Sequence, residues 1–345
     1  MERFIGLDAH LSSCVLAVRG PSGRKIRTEI VETDAKVLMD FVRKVPKPRY
    51  LCLEEGTMSE WLYEVLSPYV DEIYVVVPEK KKGNKSDVQD ALDLAEMVRV
   101  GSAATRVFKG CGRFRTLREL SRVYTKLVVD QGRVKNRIKS QYRSRGVETG
   151  ESIYHETHRK QWLDRLPHAT RLATLPLYEQ LDALLPIVDR ARQELVQESR
   201  RHRITRILET CPGLGQIRVA QAVATVVTPH RFRTKRQFWC YCGLGIVTKA
   251  SDEWKQQDGQ WHRKRVPLVR GLNHNHNHLM KNIFKGAAMT AINRAKPTPF
   301  RESYERLLEH TRPNLARLTI ARKIAAAFLT MWKNEEVYDP QRTHA

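Results

Sequence analysis

The sequence contains no run of about 18 apolar residues, so no membrane-spanning helix is expected. Its opening, Met1-Glu2-Arg3-Phe4-Ile5-Gly6, lacks the pattern of a signal peptide and leads directly into a strand-like segment. Cysteine is sparse. The six residues, Cys14, Cys52, Cys111, Cys211, Cys240 and Cys242, are scattered and mostly lie in apolar stretches, as expected of reduced core thiols in a cytosolic protein. Cys240-Tyr241-Cys242 has the wrong spacing for a zinc knuckle and no second ligand pair. No clear amphipathic segment sets bulky apolar residues opposite charge, which argues against a membrane-surface protein.

Charge, by contrast, is abundant and unevenly placed. The 345 residues carry a net +23. Residues 1–100 hold 15 Lys/Arg against 17 Asp/Glu, a balance of −2, so the remaining 245 carry +25. A mildly acidic segment is joined to a strongly basic one, and basic charge on that scale is the electrostatic footprint of a nucleic-acid binder.

The first hundred residues alternate strand and helix signals. Phe4–Leu7 is a short apolar run ending at Asp8. Cys14–Val18 and Lys25–Val31 read as a hairpin about the turn Gly20-Pro21-Ser22-Gly23. Ala35–Val42 and Trp61–Leu66 read as helices, Tyr50–Leu53 and Ile73–Val77 as strands. After the basic loop Lys80–Lys85, a helix opens with Ser86 as its N-cap.

Residues 115–142 are helical, with Leu117, Leu120, Tyr124, Leu127, Val134 and Ile138 at heptad a and d positions. The stretch 106–145 has 13 Lys/Arg against Glu119 and Asp130; Arg133, Lys135, Arg137 and Lys139 are its densest run. That run is either a phosphate-contacting surface or a solvated helix face. A second helix, about 174–199, carries Leu181, Leu184, Leu185, Val188 and Leu195, with Pro186 as a kink. The two stripes suit an antiparallel pair or an intermolecular coiled coil. Further on, Leu208-Glu209-Thr210-Cys211-Pro212-Gly213-Leu214-Gly215 followed by Val219, Ala220 and Ala222 reads as a helix-hairpin-helix or as a plain turn between packed helices. In the first case Gly213 and Gly215 permit a tight turn, and the free N–H groups of the following helix bind a phosphate. Residues 231–285 are basic again, and a last helix covers about 313–333.

Four carboxylates stand out against this frame. Asp8 ends the first strand, Glu54 ends a later one, and Asp87 and Asp90 share a helix face by their i, i+3 spacing. Carboxylates at neighbouring strand ends facing a helical pair make a hard oxygen site suited to Mg²⁺ or Mn²⁺. Two such ions roughly 3.5–4 Å apart can clamp the attacking and leaving oxygens of a phosphodiester. Glu55 is an alternative to Glu54, which is preferred because it directly follows the apolar strand. Asp93 continues the helical series as a weaker alternative ligand.

On these residues the sequence resembles the DEDD transposases of bacterial insertion sequences, a family that includes bridge-RNA-guided recombinases and related DNA invertases. The resemblance extends over nearly the whole chain. It implies an RNase H-like domain similar to the Holliday-junction resolvases, with Asp8, Glu54, Asp87 and Asp90 as its metal-holding tetrad. It also implies a catalytic serine. The block Gln237–Ser251 matches the family's second motif and puts Ser251 at that position, with Ile246 where proline is usual and Asp252 where glycine is usual. Gly271–Lys281 resembles the block that follows. There His274, His276 and His278 alternate but have no evident fourth zinc ligand, and with Arg263, Lys264, Arg265 and Arg270 they favour phosphate or RNA contact.

The expected architecture is an α/β RNase H-like domain at 1–105, a basic helical or coiled-coil region at 106–200, a mainly α C-terminal domain with helix-hairpin-helix and serine at 201–335, and a tail at 336–345. The resemblance implies a DNA partner, a structured guide RNA, a dimer or tetramer that brings Ser251 of one subunit to the carboxylates of another, and a bacterial, nucleoid-associated setting without a membrane. A resolvase-like nuclease would need the carboxylates and not the serine. A non-enzymatic nucleic-acid-binding protein would need neither.

Overall fold

In a computed structural model, which describes residues 1–77, 86–103, 112–249, 254–263, 268–294 and 297–341, the chain divides into two compact units, Met1–Gly112 and Arg113–Ala345. Among the described residues no helix is long and apolar enough to cross a membrane.

The first unit contains β1 (Arg3–Ala9), β2 (Ser13–Arg19), β3 (Lys25–Glu32), α1 (Ala35–Arg43), β4 (Arg49–Glu54), α2 (Ser59–Leu66), β5 (Glu72–Val76) and α3 (Asp87–Arg99). The five strands form one sheet in the order β3-β2-β1-β4-β5. β2 runs antiparallel to β1 and β3, while β4 and β5 run parallel to β1. This mixed sheet is compatible with an RNase H-like α/β domain.

The central strands are buried on both faces, so their sequences are continuous apolar runs and not strict alternations. The pleat still sorts them. Ile5, Leu7, Leu16, Leu51, Leu53 and Val75 pack with Leu38 and Phe41 of α1 and with Leu62 and Leu66 of α2. Phe4, Cys52 and Val76 face α3 through Leu94, Ala95 and Val98, and Val15 and Ala17 meet its Ala91 and Leu92. Asp34 caps α1, its carboxylate accepting from the amides of Lys36 at 2.8 Å and Val37 at 3.1 Å. Ser86 occupies the N-cap of α3, as its sequence suggests, but makes no side-chain capping bond.

In the second unit α4 (Arg115–Arg143), α5 (Glu156–Leu163) and α6 (His168–Arg200) precede a helical body. That body consists of α7 (Arg203–Glu209), α8 (Gln216–Val226), α9 (Lys235–Tyr241), β6 (Ile246–Lys249), β7 (Trp254–Gln257), β8 (Gln260–Arg263), β9 (Leu268–Leu272), α10 (His278–Ile292), α11 (Pro299–Leu308) and α12 (Pro313–Asn334). The long helices α4 and α6 pack against each other within the chain and run antiparallel. Leu117 and Leu195 join the body's core at one end, and the Tyr142 and Tyr178 hydroxyls meet at 2.9 Å toward the other. Val134, Ile138 and Leu181 fill the seam there, closed by Leu163 of α5.

Helix α6 starts at His168, earlier than the apolar stripe indicates, and continues through Pro176 and Pro186. The heptad reading of α4 holds at Leu117, Val134 and Ile138, which are buried. Leu120, Tyr124 and Leu127 are only half-buried, while Ser121 and Tyr142 are buried in addition. The body's core is built on α8, α10 and α12, with Phe238, Phe284 and Phe328 at its centre. Two short ribbons, β6 with β9 and β7 with β8, interrupt this helical body and were not indicated by the sequence reading.

Candidate functional site

The four carboxylates all lie in the first unit. Asp8 is next to last in β1, and Glu54 is the last residue of β4. The parallel register pairs Leu7 with Leu53, so Asp8 and Glu54 are the next residues along adjacent strands. Because side chains alternate across a sheet, Asp8 shares the α3 face with Phe4 and Gly6, and Glu54 shares it with Cys52. Glu54 is also in register with Val76, another residue of that face. Glu55 follows the last strand residue with the opposite parity.

Asp87 and Asp90 occupy the first turn of α3. That helix lies directly on β1, because a Cβ at Gly6 would stand only 1.8 Å from the Ala91 carbonyl oxygen and 2.6 Å from the Ala95 nitrogen. A glycine on the strand and two alanines one turn apart on the helix thus bring the helix start down onto the strand end.

The result is a compact donor group. Asp8, Asp87 and His10 each offer one ligand atom, all within 4.8 Å of one another. The His10 Nε2 stands 3.4 Å from an Asp8 oxygen and 3.6 Å from an Asp87 oxygen. Burial pushes the Asp8 carboxyl above the usual carboxylate range. His10 opposes this, while the negative charges of Asp87 and Asp90 add to it. Asp90 is therefore close enough to be felt, although neither it nor Glu54 belongs to the 4.8 Å group. A partly buried Asp8 and an exposed Asp87 that repel one another and converge with an imidazole suit a divalent cation, whose charge relieves the repulsion.

His10 was absent from the set read from sequence. Its signal was the spacing Asp8-Ala9-His10, since residues i and i+2 of an extended chain share a side. Asp93 turns elsewhere, accepting from the Gln89 side-chain amide at 2.7 Å. Glu96 is tied to Arg99 at 2.9 Å, with Arg19 at 3.7 Å.

The expected nucleic-acid contacts fall mainly in the second unit. On α4, Arg133 and Arg137 are exposed, Arg133 pairing with Asp130 at 2.9 Å. Lys135 lies over the Tyr154 ring, and Lys139 is 3.7 Å from Glu151. The α7–α8 hairpin separates its two glycines. Gly213 is buried with φ +90°, and a Cβ there would stand 2.2 Å from the Ala287 carbonyl oxygen of α10. Gly215 is the exposed N-cap of α8, with open space around it.

His276 bonds the Asn273 carbonyl through Nδ1 at 2.7 Å. Among the described residues, His274, His276 and His278 form no metal-holding group. Of the five described cysteines four are buried, but Cys240 is exposed, so the core-thiol reading fails for that one. Ser251, Asp252, Lys264 and Arg265, like the Lys80–Lys85 loop and Cys111, lie outside the described residues; Arg263 ends β8.

A carboxylate and histidine group that could hold a metal ion lies on a mixed α/β sheet, in a chain whose remainder is strongly basic, a combination that fits an enzyme acting on nucleic acid. The comparison with known families is specific. Residues 5–144 match the model of the DEDD transposases of IS110 type, and residues 205–305 match that of the transposase IS116/IS110/IS902 family. The chain belongs to this DEDD transposase family of insertion sequences and is an enzyme of DNA cleavage and rejoining. No curated protein matches the chain significantly.

Proposed function

We propose that the protein cuts and rejoins DNA with a metal centre held by Asp8, Glu54, Asp87 and Asp90 and with Ser251 as nucleophile. The observation that carries this reading is the convergence of Asp8 and Asp87, with Asp90 in electrostatic reach and Glu54 at the next position on the same sheet face. When bound, Mg²⁺ or Mn²⁺ would neutralise charge developing on the phosphodiester oxygens. The protein's own groups do the rest. The Ser251 oxygen forms a bond to phosphorus as the bond to the 3′ oxygen breaks; the serine proton leaves, and the 3′ oxygen gains one. A 5′-phosphoserine conserves the bond energy, and attack by another 3′-hydroxyl reverses the step and rejoins the strand.

Arg133, Lys135, Arg137, Lys139, Arg263, Lys264 and Arg265, together with the open helix start at Gly215, serve phosphate contact. Gly213 supports that helix start by letting the hairpin lie against α10. A structured guide RNA fits the excess of basic charge in the second unit, and a dimer or tetramer would bring the serine of one subunit to the carboxylates of another. Within this reading the chain works as three segments, 1–105, 106–200 and 201–335, with 336–345 as a tail, on chromosomal DNA in a bacterial cell.

The test is strand cleavage of DNA carrying the element's ends. Asp8→Asn and Asp90→Asn should each abolish it while nucleic-acid binding persists, and excess chelator should do the same to the wild type. Full cleavage under either condition refutes the metal reading.

A further inference from the structure

We propose that His10 is itself a ligand of this metal centre, adding one nitrogen donor to the carboxylates and biasing the site toward Mn²⁺ over Mg²⁺. The inference rests on the metal reading above and specifies which ion the site selects. Its Nε2 is the atom aimed at the carboxylates, 3.4 Å from Asp8 and 3.6 Å from Asp87. Donor atoms around one first-row ion at about 2.1 Å stand roughly 3 Å apart, so the three atoms need little adjustment to share a coordination sphere.

The imidazole does not hang from a loose loop. The His10 amide donates to the Ser13 carbonyl at 2.9 Å, and its carbonyl accepts from the Thr33 hydroxyl at 2.7 Å. Thr33 in turn donates its amide to the Ser12 carbonyl at 3.2 Å and meets the Cys14 sulfur at 3.3 Å. The β1–β2 turn is thereby fastened to the residue just after β3, and the ring starts from a fixed backbone. With 55% of its side chain exposed, His10 contributes little to the core. Its orientation toward two carboxylates is therefore not explained by packing.

Mg²⁺ is hard, dehydrates reluctantly and prefers oxygen, whereas Mn²⁺ lies on the softer side and accepts imidazole more readily. A nitrogen donor should therefore change the ratio of the two affinities more than it changes either reaction step. The competing role, a cation that offsets the carboxylate charge, predicts the opposite sign. Metal would then have to displace His10, and removing the ring would tighten binding.

The experiment uses full-length protein titrated with Mn²⁺, followed by the electron paramagnetic resonance of the free ion, with Mg²⁺ as competitor. Pulsed resonance of the bound ion reads any ¹⁴N coupling. The expected result is a nitrogen-coupled Mn²⁺ in the wild type. His10→Ala and His10→Gln should lose that coupling and weaken Mn²⁺ roughly tenfold or more, since even outer-shell partners of a metal are worth that much. Mg²⁺ affinity should change far less. Coupling that survives both substitutions, or Mn²⁺ affinity unchanged or increased by them, overturns the assignment. Mn²⁺ bound in an Asp8-dependent way but without ¹⁴N coupling sinks the His10 proposal alone. Absence of any Asp8-dependent Mn²⁺ binding sinks the metal reading with it.

Discussion

Gly6 of β1 and Ala91 of α3 are in contact through their backbones: a Cβ on Gly6 would fall 1.8 Å from the Ala91 carbonyl oxygen. This closeness sets the height of α3 above the sheet, and hence the position of Asp87 relative to Asp8. Any side chain at position 6 must push the helix away. Gly6→Ala should destabilise the first unit by about 1–3 kcal/mol, as overpacking does elsewhere, and Gly6→Val by more. Denaturant unfolding measures the loss. Binding of Mn²⁺ should fall in Gly6→Ala even under conditions where it stays folded. A folded Gly6→Ala protein with wild-type metal affinity would show that the helix height is not critical.

Asp8 gives a prediction whose sign can be worked out. Its folded-state pKa is raised, chiefly by burial. The stabilising contribution of such a group is present below the unfolded pKa and is lost as pH rises through the folded value. Without metal, ionisation of Asp8 therefore weakens the fold. Asp8→Asn should melt at a higher temperature than the wild type at pH 7 in chelator, and the difference should shrink as pH falls through the raised folded value and be gone below about 4. Divalent metal should reverse the order, since at a hundred times the dissociation constant it contributes about 2.7 kcal/mol to the wild type. A lower melting temperature for Asp8→Asn in chelator would contradict this picture.

The basic face of α4 is testable through salt. Each neutralised phosphate releases counterions, so binding should weaken steeply as salt rises. Arg133, Lys135 and Lys139 have partners in Asp130, the Tyr154 ring and Glu151, all at or near the surface. Surface pairs of this kind contribute about 0–1 kcal/mol and exchange readily for phosphate. Replacing Arg133, Lys135, Arg137 and Lys139 with Gln should flatten the dependence of log K on log salt by up to four contacts, with little change in melting temperature. An unchanged slope would make this run a solvated helix face.

Ser251 separates a recombinase from a nuclease that uses water. A reaction stalled after cleavage should leave DNA attached to Ser251 through a 5′-phosphate, stable to denaturation and locatable by peptide mapping. Ser251→Ala should abolish the adduct and strand exchange while assembly on nucleic acid continues. Recombination by that variant at the wild-type rate would leave the carboxylates as the whole of the chemistry.

Much of this protein was legible before folding. The charge asymmetry separates an acidic segment from a basic one, and it survives any arrangement of the chain. The strand and helix signals of the first hundred residues, and the long helices beyond residue 115, are local patterns and reappear nearly in place. So do the positions of Asp8 and Glu54 at strand ends and of Asp87 and Asp90 in a first helical turn. What the chain alone left open depended on contacts between distant residues. The choice between Glu54 and Glu55 waits on the pleat, because only sheet register says which parity faces α3. Gly213 and Gly215 look alike in sequence, yet one is pressed against α10 and the other opens to solvent. Cys240 lies in an apolar stretch but points outward from a short helix. His10 stands beside Asp8 by its spacing, but it meets Asp87 as well because the Gly6–Ala91 approach carries Asp87 over the end of β1. Periodicity records which side of an element a residue occupies, but how near two elements come is decided by the side chains, or their absence, where they cross.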